Sequence, residues 1–163
     1  MIGSAVDFDA LYQAQWHRMV RLALLLLGDR PSAEDAVQDA FISVHRRPPD
    51  DPAAAVAYLR TAVVNSARTM IRKRVVARRH LRVEVEQHAE AADHGLLVDA
   101  EYAPVLAALT ALPRRQREVL VLRYWSELSF DEVAQTLGIS SGTARSTASR
   151  ALDALETTLG AAR

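Results

Sequence analysis

Ser129-Phe130-Asp131-Glu132-Val133-Ala134-Gln135-Thr136-Leu137-Gly138-Ile139-Ser140-Ser141-Gly142-Thr143-Ala144-Arg145-Ser146-Thr147-Ala148-Ser149-Arg150-Ala151-Leu152 reads as two helices around a tight turn. Ser129 is an N-cap, and Glu132 three residues later completes a capping box. Val133, Ala134 and Leu137 form the apolar stripe of a short first helix. Gly138 supplies the positive φ that ends it, and Ile139 plugs the corner. Ser140 caps a second helix whose inner face is Ala144, Ala148, Leu152 and Leu155. At about 100° per residue, Arg145, Ser146, Ser149 and Arg150 fall on the outward face. A helical hairpin with a merely solvated polar face has the same backbone pattern. The outward face lacks the Lys and Glu that such a helix favours, and this tilts the reading to a major-groove helix. There Arg forks onto guanine or clamps phosphate, and hydroxyls bond either.

The bulk composition is consistent with this. The 163 residues suit one domain or two small ones, and half of them are hydrophobic, enough to bury a core. Six Gly and six Pro leave little room for a turn-rich all-β design, so an all-α fold is expected. With no Cys there are no disulfides, thiolate metal sites or Cys nucleophiles. His88 and His94 lack partners at metal spacing, so neither a metal nor another cofactor is expected. No Ser-His-Asp, His-pair or Gly-rich phosphate motif supports an enzyme. Apolar runs such as Leu22 to Leu27 fall far short of the roughly 18 residues that cross a bilayer. No signal peptide is evident, and a cytoplasmic protein is expected.

The net charge of zero is a sum of opposing blocks. Residues 68–82 hold seven Arg or Lys and no acid, whereas 83–104 hold six acids and no Arg or Lys. All the basic residues except Lys73 are Arg.

From the N-terminus, Phe8, Leu11, Tyr12, Met19, Val20, Ala23, Leu24 and Leu27 mark a long amphipathic helix that Gly28 stops. Tyr12 and Trp16 read as core anchors. A second helix, capped by Ser32 and running to about His45, turns Ala33, Ala36, Val37, Ala40, Phe41 and Val44 one way. Glu34, Asp35, Gln38 and Asp39 face the other way. The N-terminal helix dipole accounts for Glu34 and Asp35 but not for Gln38 and Asp39. Solvated carboxylates and a docking surface for a basic protein therefore both stand. Arg46-Arg47-Pro48-Pro49-Asp50-Asp51 makes a rigid loop, and Asp51-Pro52 opens a third helix. Its inner face is Val56, Leu59, Val63, Val64, Ala67 and Ile71. Its exposed side gathers Arg60, Asn65, Arg68, Arg72, Lys73, Arg74, Arg78, Arg79 and Arg82. A soluble face normally mixes signs. This one does not for fifteen residues, which points to a nucleic-acid backbone or, second, to an acidic protein. Residues 83–104 lose periodicity and read as an acidic, partly disordered linker. A second domain of four helices follows from about Val105.

Two motif sets now coincide. Asp35-Ala36-Val37-Gln38-Asp39-Ala40-Phe41, Tyr58-Leu59-Arg60 and Val64-Asn65-Ser66-Ala67-Arg68 resemble the second conserved region of bacterial RNA polymerase sigma factors. Leu112-Pro113-Arg114-Arg115-Gln116-Arg117-Glu118-Val119-Leu120, Leu128-Ser129-Phe130-Asp131-Glu132-Val133-Ala134 and Leu137-Gly138-Ile139-Ser140 resemble their fourth region. Two regions and a short linker are the layout of the extracytoplasmic-function group, group 4. Ser149-Arg150-Ala151-Leu152 looks most like its SigE-like actinobacterial subfamily.

The resemblance implies a region 2 domain at 5–82, a linker at 83–104 and a region 4 helix-turn-helix domain at 105–160. It implies docking of Asp35, Gln38 and Asp39 on the coiled coil of the polymerase's largest subunit. The loop from Arg46 to Asp51 would be the −10 specificity loop, with Asn65 beside its pocket for a flipped base. Flipping costs a few kcal/mol of unstacking that contacts to the base return. Arg46, Arg47, Arg60, Arg68, Arg72, Lys73 and Arg74 would hold −10 DNA. Thr143, Arg145, Ser146, Ser149 and Arg150 would read the −35 element, with Arg114, Arg115 and Arg117 nearer phosphates or the polymerase flap. An anti-sigma factor is a further implied partner. The chain departs from the family in two places. Its loop is Pro-rich without the aromatic residue many members have, and Met70-Ile71 stand where Asp and an aliphatic residue are common. A free-standing helix-turn-helix regulator and a sigma-like decoy that sequesters an anti-sigma factor are the competing readings.

Overall fold

The computed structural model describes residues 5–80 and 102–161 of the chain. These fall in two compact units, Met1–Leu97 and Val98–Arg163. The described residues form helices and turns, without strands. Arg82, His88, His94 and the acidic stretch at 83–101 lie outside the described residues.

The N-terminal unit is three helices packed pairwise: α1 (Phe8–Leu27), α2 (Arg30–Arg46) and α3 (Ala55–His80). The seam of α2 is built from Ala33, Ala36, Val37, Ala40 and Val44, all with 0% exposure. Alanines at three- and four-residue steps let the neighbouring helices approach closely. Leu22, Ala23 and Leu26 of α1 and Leu59, Val63, Val64 and Ala67 of α3 fill the space between.

Gly28 ends α1 in the left-handed region, at φ 88°, as its place in the sequence indicates. The cap of α2 is not Ser32. Asp29 takes that role, its carboxylate accepting from the Ser32 amide at 2.9 Å, and Pro31 sits inside the first turn where its missing N–H costs nothing. The Ser32 hydroxyl instead accepts from Arg74 at 2.6 Å. Arg74 also donates to Asp29 at 2.6 Å and to the Leu27 carbonyl at 3.2 Å. One guanidinium thus ties α3 to the joint between α1 and α2. Asp51 caps a 3-10 turn, Pro52–Ala54, that leads into α3.

Tyr12 and Trp16 are only in part core anchors. Tyr12 stacks on Trp16 at 5.0 Å and meets Phe41 at 5.0 Å, yet Tyr12 remains 45% exposed. They seal the rim of the α1–α2 contact while keeping a wet edge. Beyond Arg74 the last residues of α3 are all exposed.

The C-terminal unit holds α4 (Ala103–Ala111), α5 (Arg114–Leu120), a π-helical turn (Val121–Trp125), α6 (Phe130–Leu137) and α7 (Ser141–Ala161). Pro104, read as the end of a linker, occupies the first turn of α4. α4, α5 and α6 each pack on α7. Arg117 caps α4 from outside, donating to the carbonyls of Leu109 (2.9 Å), Thr110 (2.7 Å) and Leu112 (3.0 Å). The Leu109 carbonyl also accepts from the Leu112 amide at 3.1 Å, so Arg117 adds a second donor there and supplies donors to the Thr110 and Leu112 carbonyls at the helix end. Glu118 is 3% exposed, with Arg114 at 3.5 Å and Arg115 at 3.7 Å from its carboxylate. Charges buried to that degree are retained only when paired.

The π-helical turn returns the chain with a Ser126 amide to Val121 carbonyl bond of 3.0 Å. It ends near Glu127, the one positive-φ non-Gly residue among the described residues, at φ 56°. A Cβ in that region costs roughly 1 kcal/mol over glycine, which has none.

Two outcomes are expected. Glu127→Gly should raise the unfolding free energy of this unit by about 0.5–1 kcal/mol, measured by urea titration. For Asp29, burial pushes the carboxyl up, but hydrogen bonds from the Ser32 hydroxyl and amide and from Arg74, with the Arg74 charge, outweigh it and hold the carboxyl below its ordinary 3.8. A lowered carboxylate stabilises the fold above the unfolded pKa, and that stability disappears as pH falls through the folded one. Asp29→Asn should therefore melt below wild type at neutral pH, with the gap closing on acidification below 3.8. A gap independent of pH would mean that the carboxylate charge is not what ties α3 down.

Candidate nucleic-acid and protein interfaces

The helix-turn-helix is built as its residues dictate. Ser129 and Glu132 form a complete capping box, with the Ser129 amide on the Glu132 carboxylate at 2.7 Å and the Glu132 amide on the Ser129 hydroxyl at 3.2 Å. Gly138 closes α6 at φ 67°. The Thr143 amide donates to the Ser140 hydroxyl at 3.1 Å, starting α7, and the Asp131 carboxylate accepts from the Ser141 hydroxyl to join the two helix starts.

The inner face of α7 differs from expectation. Ala144, Thr147, Ala148 and Ala151 are buried, whereas Leu152 is 41% exposed and Leu155 half-buried. Thr147 and Ala151 are one position short of a strict four-residue step. The buried seam of α7 therefore runs through small residues of its N-terminal half, the helix packing on α5 and α6. Outward, Thr143, Arg145, Ser146, Ser149 and Arg150 are all exposed. The Ser146 hydroxyl bonds the Thr143 carbonyl at 3.1 Å, and Arg150 reaches Thr147 only at 3.5 Å. Ser149 has no polar partner among the described residues.

The arginines of α5 are placed otherwise. Arg117 spends its donors on the three α4 carbonyls, and Arg114 and Arg115 pair with Glu118. Arg115 also donates to the Leu137 carbonyl at 3.4 Å. Arg117, expected nearer phosphates or the polymerase flap, has its donors engaged within the protein.

Three surfaces stand out on the N-terminal unit. On α2, Asp35, Gln38 and Asp39 are exposed and have no hydrogen bond or ion pair among the described residues, while Glu34 pairs with Arg30 at 2.9 Å. Directly beneath them, Ala36, Val37 and Ala40 are sealed. The patch is therefore a rigid row of unneutralised carboxylate and amide groups. Arg46, the last residue of α2 rather than part of the loop as expected, and Arg47, its C-cap, are both exposed. On α3, Asn65, Arg72 and Lys73 are exposed, and Arg60 and Arg68 are half-buried with partners within the protein. Arg72 lies 3.4 Å from the Thr69 hydroxyl. Arg74 leaves this group for the same reason as Arg117. Its donors go to Asp29, Ser32 and the Leu27 carbonyl, so the residue expected to hold −10 DNA ties helices together within the protein.

Sequence reasoning missed the surroundings of Phe130. Its ring has the Arg123 guanidinium 5.0 Å from its centroid and the Arg145 guanidinium 5.4 Å away. Arg123 also donates to the Leu128 carbonyl at 2.9 Å. Only the turn of the helix-turn-helix brings Phe130 and Arg145 together, and no local periodicity reveals it.

Among the described residues no helix is long and apolar enough to cross a membrane, and no group of three or more acidic or His side chains could hold a metal ion.

Residues 11–76 match the family description Sigma-70 region 2, and residues 102–155 match Sigma-70, region 4. The chain is 32% identical over 154 residues to the RNA polymerase sigma-E factor of Streptomyces coelicolor, covering 93% of this chain and 85% of that protein. It is 32% identical over 160 residues to the ECF RNA polymerase sigma factor SigM of Mycobacterium tuberculosis, covering 97% and 80%. The sigma factor RpoE of Bartonella quintana, solved in complex with the anti-sigma factor NepR, superposes with a TM-score of 0.71 at 25% identity, covering 96% of this chain and 99% of that one. With both regions matched in order and relatives matched nearly end to end, the chain belongs to the extracytoplasmic-function group of sigma-70-family RNA polymerase sigma factors.

Proposed function

We propose that this sigma factor, which directs core RNA polymerase to promoters and into initiation, divides its work among three surfaces. The first is the α2 face of Asp35, Gln38 and Asp39, which docks on a basic part of core polymerase, the coiled coil of the largest subunit. The observation that carries this reading is that two carboxylates one helical turn apart have no hydrogen bond or ion pair among the described residues. Like charges at that spacing destabilise a helix by a few tenths of a kcal/mol. A basic partner offsets the cost and gains steering. A free-standing helix-turn-helix regulator would leave this face without use.

The second surface, from residues 5–82, holds the −10 element. Arg46, Arg47, Arg72 and Lys73 meet the backbone, with Arg60 and Arg68 behind them, and the loop Arg46–Asp51 with Asn65 forms the pocket for a base taken out of the stack. The third, from residues 105–160, reads the −35 element through Thr143, Arg145, Ser146, Ser149 and Arg150, with Arg114 and Arg115 nearer the phosphates. The acidic stretch 83–104 links the two. The factor works in the cytoplasm and supplies no chemistry of its own. Phosphodiester formation belongs to the core enzyme. An anti-sigma factor is a further proposed partner, supported by the likeness to RpoE.

Asp39→Arg should abolish binding to core polymerase in a pull-down while leaving helicity unchanged; undiminished core affinity would remove the docking role. Arg150→Ala should weaken binding of holoenzyme to its preferred −35 sequence by about 1–3 kcal/mol if it reads a base. An equal loss across all −35 sequences would make it a phosphate contact.

A further inference from the structure

We infer that Phe130 is a positioning residue for promoter reading: its ring aims the Arg145 guanidinium at a base edge. The inference rests on the reading of Arg145 as a −35 base contact and adds a residue to it.

Arginine has a planar head with two kinds of surface. Its edge carries five N–H donors, and its face stacks on aromatic rings. Arg117 and Arg74 use the edge inside the protein. Arg145 does the opposite. It is exposed, and the Phe130 ring is its only partner among the described residues, with the guanidinium carbon 5.4 Å from the ring centroid. A cation–π contact of this kind engages no N–H donor as a hydrogen bond, so the donors stay available while rotamers of a long side chain are removed. A free exposed arginine loses its rotamer entropy when fixed on DNA. A stacked one has surrendered part of that before the DNA arrives.

The ring is itself held in place. Phe130 is the first residue of α6, fixed by the Ser129–Glu132 capping box. Arg123 lies 5.0 Å from the same centroid and is anchored by its bond to the Leu128 carbonyl. The bond between Asp131 and Ser141 ties the start of α6 to the start of α7, which holds the ring against the helix that carries Arg145. Every part of the stack belongs to an element that the fold already fixes.

The test uses holoenzyme, formed from the full chain and core polymerase, with a duplex library randomised through the −35 element and sequencing of the bound fraction. Arg145→Ala should flatten base preference at one position. Phe130→Leu should reduce preference at that same position about two- to fivefold, with the other positions kept, which is the loss of one exposed cation–π contact expressed as a ratio. Phe130→Tyr should restore it, and Phe130→Leu should add nothing in the Arg145→Ala background. Because Phe130 is half-buried, thermal melting of each variant accompanies the selection. A packing defect alone would lower all positions together and would not be rescued selectively at one of them. Preference unchanged in Phe130→Leu, while Arg145→Ala flattens a position, overturns the positioning role and leaves the Arg145 reading intact. No flattened position in Arg145→Ala overturns both.

Discussion

The close seating of α7 on α5 and α6 is the constraint on which the C-terminal unit turns. It is made by residues that contribute almost no bulk: Ala144, Ala148 and Ala151, with 0–2% exposure, and Thr147 at 3%. A helix that must offer one whole side to a partner has only the other side with which to hold itself. Small residues bring its axis near its neighbours, so that Val119, Leu122 and Val133, each fully buried, supply the apolar volume from the opposite side. The same economy governs α2, where Ala33, Ala36 and Ala40 seat a helix whose other face carries Asp35, Gln38 and Asp39.

Arginine in this chain does two jobs, and geometry separates them. Arg74 and Arg117 act as brackets, each reaching a helix end or helix joint and donating to the groups exposed there. Arg46, Arg47, Arg72, Arg145 and Arg150 remain at the surface. A count of positive charge treats the two kinds alike, and so the basic run of α3 overstates the charge that a nucleic acid meets. Glu118 shows the converse. Its burial is tolerable because Arg114 and Arg115 stand beside it, and those two arginines are partly neutralised in return.

Much of this architecture is legible in the chain itself, because the signals are local. The capping box at Ser129, the left-handed glycines at 28 and 138, and the alanine and valine seams depend on spacings of three or four residues. The motif sets were equally readable, since short ordered runs carry them. What escaped is what a helix cannot know about its neighbours. Asp29 displaces Ser32 as a cap because Arg74, 45 residues away, claims both groups. Leu152 faces outward because the seam of α7 follows its neighbours' surface and not an ideal stripe. The Phe130–Arg145 contact exists only after the turn between α6 and α7 has formed.

The tie at Arg74 also divides α3 into two parts of different character. Up to that residue the helix leans on a core. Beyond it, Val75 to His80 rise a further ~9 Å with every residue exposed, including Val75 at 44% and Val76 at 52%. These last turns are held by cooperativity with the anchored turns and not by packing. Arg78 and Arg79 favour the C-terminal dipole, whereas Arg78 one turn from Arg74 repels it. The balance between those terms shifts with ionic strength, since salt screens both at separations beyond ~8 Å. The bundle thus sets where α3 begins, and the surrounding ions govern how firmly its far end is wound.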